Sequence, residues 1–255
     1  MYTNSLKSKL LNREPVAGCI IQGGLPALAE ICGLAGFDFV WIDAEHGPLS
    51  ERDCEELVRA AETRKTIPIA RVAVNAPEII MKVLDVGCMG VVIPGIRTRA
   101  EVEAAVKAVK YTPRGSRGLT STRTADFGLV RPLAEYVAQA NEETMVLPII
   151  ETVEAINFLE DILAVEGVDG AIFGGTDLSA ALGVPGQWQH QTVQDAFRKF
   201  ISIGKQSGKA IGTVLRPGED AQELLQQGVS IIVANAYSLL AKSSKAFVAS
   251  VKMGR

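Results

Sequence analysis

Aromatic residues are scarce in this sequence, 5% of 255, while hydrophobic residues as a whole make up 47%. The core must therefore be filled by Val, Ile, Leu and Ala, as expected of a parallel barrel. No apolar run approaches the roughly 18 residues that a membrane span needs. The opening stretch MYTNSLKSKLLNREP lacks the apolar segment of a secretion signal. An excess of one charge is also missing: 26 Lys and Arg stand against 29 Asp and Glu, with no basic stripe or acidic block. Nucleic acid and anionic membranes are thereby set aside as partners. Four cysteines, Cys19, Cys32, Cys54 and Cys88, form no CxxC pair, so neither a disulfide framework nor a zinc site is expected. They read as small core residues in a reducing, cytoplasmic setting. Nothing linker-like divides the chain, and one α/β domain over 1–255 is the expectation.

Short apolar runs then alternate with helical patterns from end to end. The runs are Val16–Ile21, Phe39–Ile42, Ile67–Val72, Gly90–Pro94, Met145–Ile150, Gly170–Phe173, Ala210–Leu215 and Ser230–Ala234. Each is nearly continuous in hydrophobicity, as strands covered on both faces are. Between them, Ser50 opens a stripe at Cys54, Leu57, Val58 and Ala61. Thr98 and Glu101 form a capping-box pattern before Val102–Val109. Helices over Pro77–Leu84 and Glu219–Gln227 run out near Gly87 and Gly228. Eight alternations close most economically as a (β/α)8 TIM barrel; an open doubly wound sheet would want a glycine-rich fingerprint after its first strand, and none is there. Tyr111–Thr144 is too long for a simple crossover and reads as a functional loop or lid.

In a barrel the loops after the strands form the catalytic face. Polar residues there are few. Asp43 and His46 follow the second run, and a carboxylate on that imidazole would fix its tautomer for proton transfer. Arg71 ends the third, either closing a salt bridge with Asp43 or Glu45 or gripping a substrate carboxylate. Glu151 and Asp177 leave neighbouring strands and would repel each other unless a proton or cation lay between them. A hard divalent ion such as Mg²⁺ or Mn²⁺ fits; so does an acid/base carboxylate pair, and spacing alone does not choose. No strand end carries a lysine, so an imine has no obvious place to form. His190, in GQWQHQ, reads as loop packing.

The strings GFDFVWIDAEHGP, IARVAVNAPEIIMKVLDVGCMGVVIPGI, YTPRGSRG, VLPIIETVEA and VDGAIFGGTDLSAALG resemble, in that order, the signature segments of the class II pyruvate aldolases. That family includes 4-hydroxy-2-oxoheptanedioate and 2-dehydro-3-deoxyglucarate aldolases. The resemblance implies reversible cleavage of a 4-hydroxy-2-oxo acid, either a 2-keto-3-deoxy sugar acid or a 4-hydroxy-2-oxo diacid, to pyruvate and an aldehyde. It implies a divalent metal ion (Mg²⁺, Mn²⁺ or Co²⁺) held by Glu151 and Asp177 and chelated by pyruvate. Arg71 would stabilise the enolate oxygen, and the Asp43–His46 dyad would move the proton. Backbone donors at Gly175 and Thr176 would meet the substrate, and Asp85 would reach a neighbouring active site. It further implies a homohexamer, a trimer of dimers that swap their last helix, a part for Leu239–Val251.

Two positions depart from the family pattern. Ile149 stands where the family has a glutamine beside pyruvate, and Gly175 where it has a proline, so substrate preference is the open point. The aldehyde partner is expected to be chosen by loop residues around Thr120–Phe127 and by neighbouring subunits. Two other readings remain: an acyl-CoA ester lyase using the Arg114/Arg117 loop, and a silent ligand-binding descendant.

Overall fold

Alternate residues of eight short strands point into one interior, and that alternation places the polar residues at the mouth. In a computed structural model, which describes residues 2–216 and 218–252, the strands are β1 (Val16–Ile21), β2 (Phe39–Asp43), β3 (Ile67–Arg71), β4 (Gly90–Ile93), β5 (Met145–Ile150), β6 (Gly170–Phe173), β7 (Ala210–Val214) and β8 (Ile231–Asn235). Neighbours in sequence pair in parallel, and β8 returns to β1 to close the barrel. Closure leaves no sheet edge to protect.

The helices are α1 (Ser5–Leu11), α2 (Pro26–Leu34), α3 (Glu51–Thr63), α4 (Pro77–Asp85), α5 (Arg99–Val109), α6 (Leu133–Glu143), α7 (Val153–Asn157), α8 (Leu159–Leu163), α9 (Gly175–Ala181), α10 (Gln191–Ser207), α11 (Ala221–Gln226) and α12 (Ala236–Lys252). Local chemistry sets their starts. Ser50 and Asp53 cap α3 reciprocally, and Thr98 and Glu101 do the same for α5. Because the Thr98 side chain bonds the Glu101 N–H, α5 begins at Arg99, earlier than the apolar pattern suggests. α11 begins later than expected for the converse reason. Asp220 is its cap, accepting from the Gln222 N–H, and Glu219 is held outside the helix by Arg216. His190 is the cap of α10, its Nδ1 accepting from the Thr192 N–H.

Ile20, Trp41, Ile69, Leu147, Ile149 and Ile172 fill the barrel interior, while a second apolar layer lies between strands and helices. Aromatic side chains are used sparingly inside: of the four tyrosines, Tyr111 and Tyr136 are buried. Phe39 occupies the space beside Gly18, where a Cβ would come within 2.1 Å of its ring. Below, Leu6 and Leu10 of α1 close the floor of the barrel. Each such fully buried aliphatic side chain contributes about 1.5–3 kcal/mol. All four cysteines are buried free thiols. No helix among the described residues is long and apolar enough to cross a membrane.

One expectation fails on topology. Tyr111–Thr144 joins the end of α5 to the start of β5 and so lies on the rim opposite the strand ends. A helix returns the chain to the N-terminal rim, and whatever is inserted before the next strand belongs there. Thr124, Asp126 and Phe127 line a cleft with Ile67 and Met89, at the beginnings of β3 and β4. The segment therefore cannot close over its own chain's site.

Candidate active site

Three of the expected residues share one inward register. Asp43 and Arg71 are direct partners across β2 and β3, and Glu151 follows the last residue of β5. Asp43 is fully buried and accepts from Arg71 Nε (2.9 Å) and Nη2 (2.6 Å), from the Gln22 amide (3.0 Å) and from the backbone N–H groups of Glu45 and His46. Burial pushes its carboxyl upward in pKa, but the Arg71 bonds and charge, with the His46 and Gln22 bonds, hold it below the ordinary aspartate value. Gln22 in turn accepts from the Asn235 amide at 3.0 Å, tying β8 into the same network.

The imidazole stands apart from this network. Asp43 bonds the backbone of His46 and leaves the ring free, correcting the expected carboxylate–imidazole contact. The tight turn after β2 aims the peptide N–H at Asp43, and the side chain points outward. His46 Nε2 lies 3.7 Å from the Glu45 carboxylate, and its side chain is 58% exposed. Glu45, expected only as a salt-bridge partner of Arg71, does pair with Arg71 Nε at 3.1 Å and also stands beside the imidazole. Its place facing the cavity was not expected, although it lies in the turn DAEHGP between Asp43 and His46.

Glu151 and Asp177 line two adjoining cavities. The larger, about 470 Å³, also has His46, Glu45, Asn75 and Pro94 in its wall. The smaller, about 140 Å³, lies beside Trp41, Arg71, Ile149, Trp188 and Arg216, with Gly175 and Thr176 on its rim. Burial raises the Glu151 carboxyl, the Gly95 N–H at 2.5 Å pulls it back, and the fields of Asp177 and Glu45 raise it again. Glu45 is raised chiefly by burial. Three acids thus face each other, and the nearby cation, Arg71, is committed to Asp43 and Glu45. This donor set fits a divalent cation. Among the described residues no three His, Cys, Asp or Glu side chains are arranged to hold a metal by themselves. A cation would rest on Glu151 and Asp177 with its remaining positions open to water and substrate oxygens, the usual arrangement for Mg²⁺.

The family described as HpcH/HpaI aldolase/citrate lyase matches residues 17–240. The chain belongs to this family. Among HpcH/HpaI relatives, 5-keto-4-deoxy-D-glucarate aldolase of Shigella sonnei (strain Ss046) is 34% identical over 92% of this chain and 91% of its own. A solved HpcH/HpaI family protein from Burkholderia cenocepacia J2315 is 30% identical, covers 98% of this chain and 100% of that chain, and superposes with a TM-score of 0.93. Citrate synthase SbnG is 32% identical over 99% of both chains, with a TM-score of 0.88.

The structure does not bring Asp85 into this chain's pocket. It is the last residue of α4 and pairs with Arg117 at 2.5 Å, because α4 runs away from the mouth. Arg114 pairs with Glu142, at the C-terminal end of α6. The arginine turn offered for an acyl-CoA substrate therefore lies on the far rim. Gly175 has a packing reason. The Trp188 ring occupies the position of its missing side chain, where a Cβ would lie 1.5 Å from the indole. Ile149 simply adds apolar wall to the small cavity.

Proposed function

We propose that this enzyme, a carbon–carbon lyase, reversibly cleaves a 4-hydroxy-2-oxo acid to pyruvate and an aldehyde. The observation that carries this reading is the convergence of Glu151 and Asp177 on two adjoining cavities with Arg71 at one wall and His46 at the other. When bound, a divalent ion (Mg²⁺, Mn²⁺ or Co²⁺) supplies Lewis acidity to the oxo group and offsets charge on the pyruvyl fragment.

The chain's own groups do the rest. His46, exposed at the larger cavity, takes the proton of the substrate's 4-hydroxyl as the bond between the third and fourth carbons breaks. The bonding electrons stay with the pyruvyl fragment, the aldehyde departs, and the proton taken up by His46 returns, directly or through water, to the third carbon to give pyruvate. Asp43 and Glu45 hold the Arg71 guanidinium at the wall, where its charge favours the enolate oxygen. Asp43 acts on His46 through the backbone, positioning the turn. Gly175 and Thr176, on the rim of the small cavity, would contact the substrate. EDTA is expected to stop pyruvate release and Mg²⁺ or Mn²⁺ to restore it. Unchanged release in saturating EDTA, or a borohydride-trapped lysine adduct, would overturn the proposal.

The oligomer belongs to the same reading. α12 buries none of its residues and leaves Leu240, Phe247 and Val251 more than 60% exposed. An apolar face of that extent calls for a partner. We infer that it is exchanged between copies in a hexamer, where Asp85 would reach the neighbouring site. Light scattering is expected to give the hexamer mass, and removal of 236–255 to lower it. The four buried thiols support a cytoplasmic setting.

A further inference from the structure

The two cavities differ in size and chemistry, and one cation at the wall of the smaller has no part in the scheme above. Arg216 follows β7 by one residue beyond Leu215. Its guanidinium lies over the Trp188 ring, which itself sits in the space left by Gly175. Glu219 clamps one edge of it, accepting from Nε at 3.0 Å and from Nη2, and also from the Arg216 N–H at 2.8 Å. Among the described residues Nη1 makes no hydrogen bond, so the end of the fork is uncommitted. Arginine carries five N–H donors, and Glu219 uses one edge only.

Resting on the aldolase reading, we propose that Arg216 binds the carboxylate of the 2-oxo acid unit, and that the small cavity is the pyruvate compartment. Three observations place it there. A cavity of about 140 Å³ suits a three-carbon acid, whereas the neighbouring one of about 470 Å³ has room for the aldehyde. His46, the base for the aldol hydroxyl, lines the large cavity and not the small one. Arg71, the other guanidinium of the small cavity, is already paired with two carboxylates, Asp43 and Glu45. Stacking on Trp188 and the Glu219 clamp hold the fork before substrate arrives, so little side-chain freedom is lost on binding. Gly175 acquires a functional consequence: a residue with a Cβ would displace Trp188 and with it the arginine.

The test separates binding from turnover. Pyruvate binding in the presence of Mg²⁺ is measured by calorimetry for the native enzyme, Arg216→Gln and Arg216→Lys, with Mn²⁺ affinity measured separately in each. Removing a charged hydrogen bond to a carboxylate is expected to weaken pyruvate about tenfold or more in Arg216→Gln. Lysine is expected to restore part of the loss, and Mn²⁺ affinity is expected to be unchanged in both. In steady state the variant should raise KM for pyruvate and leave KM for glycolaldehyde unaltered. Equal pyruvate affinity in native enzyme and Arg216→Gln overturns the assignment, as does a rise confined to the aldehyde KM. If the native enzyme binds no pyruvate at all, the aldolase reading fails first.

Discussion

Replacing Glu151 by glutamine is expected to slow exchange of the pyruvate methyl protons with solvent deuterium by about a thousandfold. Glutamine keeps the shape of the side chain and the acceptor for the Gly95 N–H. Only the charge is lost. With Asp177 as the one remaining carboxylate proposed to hold the ion, a divalent cation loses half of its anionic ligands. The Lewis acidity supplied by such an ion is worth several kcal/mol in the transition state. At 1.36 kcal/mol for each factor of ten, about 4 kcal/mol corresponds to the thousandfold effect. Proton NMR of pyruvate in deuterium oxide measures the rate, and Mn²⁺ titration of the same variant should show weakened binding. Exchange at the native rate with native Mn²⁺ affinity would remove Glu151 from the cation site. The choice of proton exchange isolates the pyruvyl half-reaction, so the unknown aldehyde does not enter.

The largest stability effect is expected at Asp43. Asparagine there leaves Arg71, 14% exposed, without its principal partner in a buried network. Removing one member of a buried ion pair costs about 3–5 kcal/mol, and the remaining Glu45 contact places this case near about 3 kcal/mol. Urea unfolding at neutral pH measures it. The pH dependence has a definite sign. Asp43 titrates below its ordinary value in the folded protein, so the unfolded chain binds its proton more readily. The contribution is complete above the unfolded carboxyl's range, about pH 4, and is lost as pH falls through the lower folded value. The gap between native protein and Asp43→Asn should therefore stay constant from pH 7 to about pH 5 and narrow in stronger acid. A gap that widens in acid would contradict the ion-pair account. Activity of the variant should fall as well, since Asp43 fixes both Arg71 and the turn that carries His46.

The eight strand positions were legible because hydrophobic runs of strand length recur between helical stripes, and two-sided burial admits few other patterns. Asp43, Arg71, Glu151 and Asp177 were legible because a barrel places polar strand-end residues at its mouth. The ends of α5 and α11 moved because one hydrogen bond from Thr98 or Asp220 outweighs an apolar pattern at a helix terminus. The lid reading of Tyr111–Thr144 fell because length alone does not say on which rim a connection lies.

The amino-acid sequence by itself determined the barrel, the family and the acids at the strand ends. Those follow from periodicity and residue type, which are local and ordered along the chain. Only tertiary structure decided the pairings: Arg71 with Asp43 and Glu45, the imidazole of His46 beside Glu45 rather than Asp43, and Asp85 with Arg117. Only it joined Gly175, Trp188 and Arg216, far apart in sequence, into one wall. Such contacts depend on how β6, β7 and their loops converge at the mouth, and no spacing rule along the chain encodes that convergence.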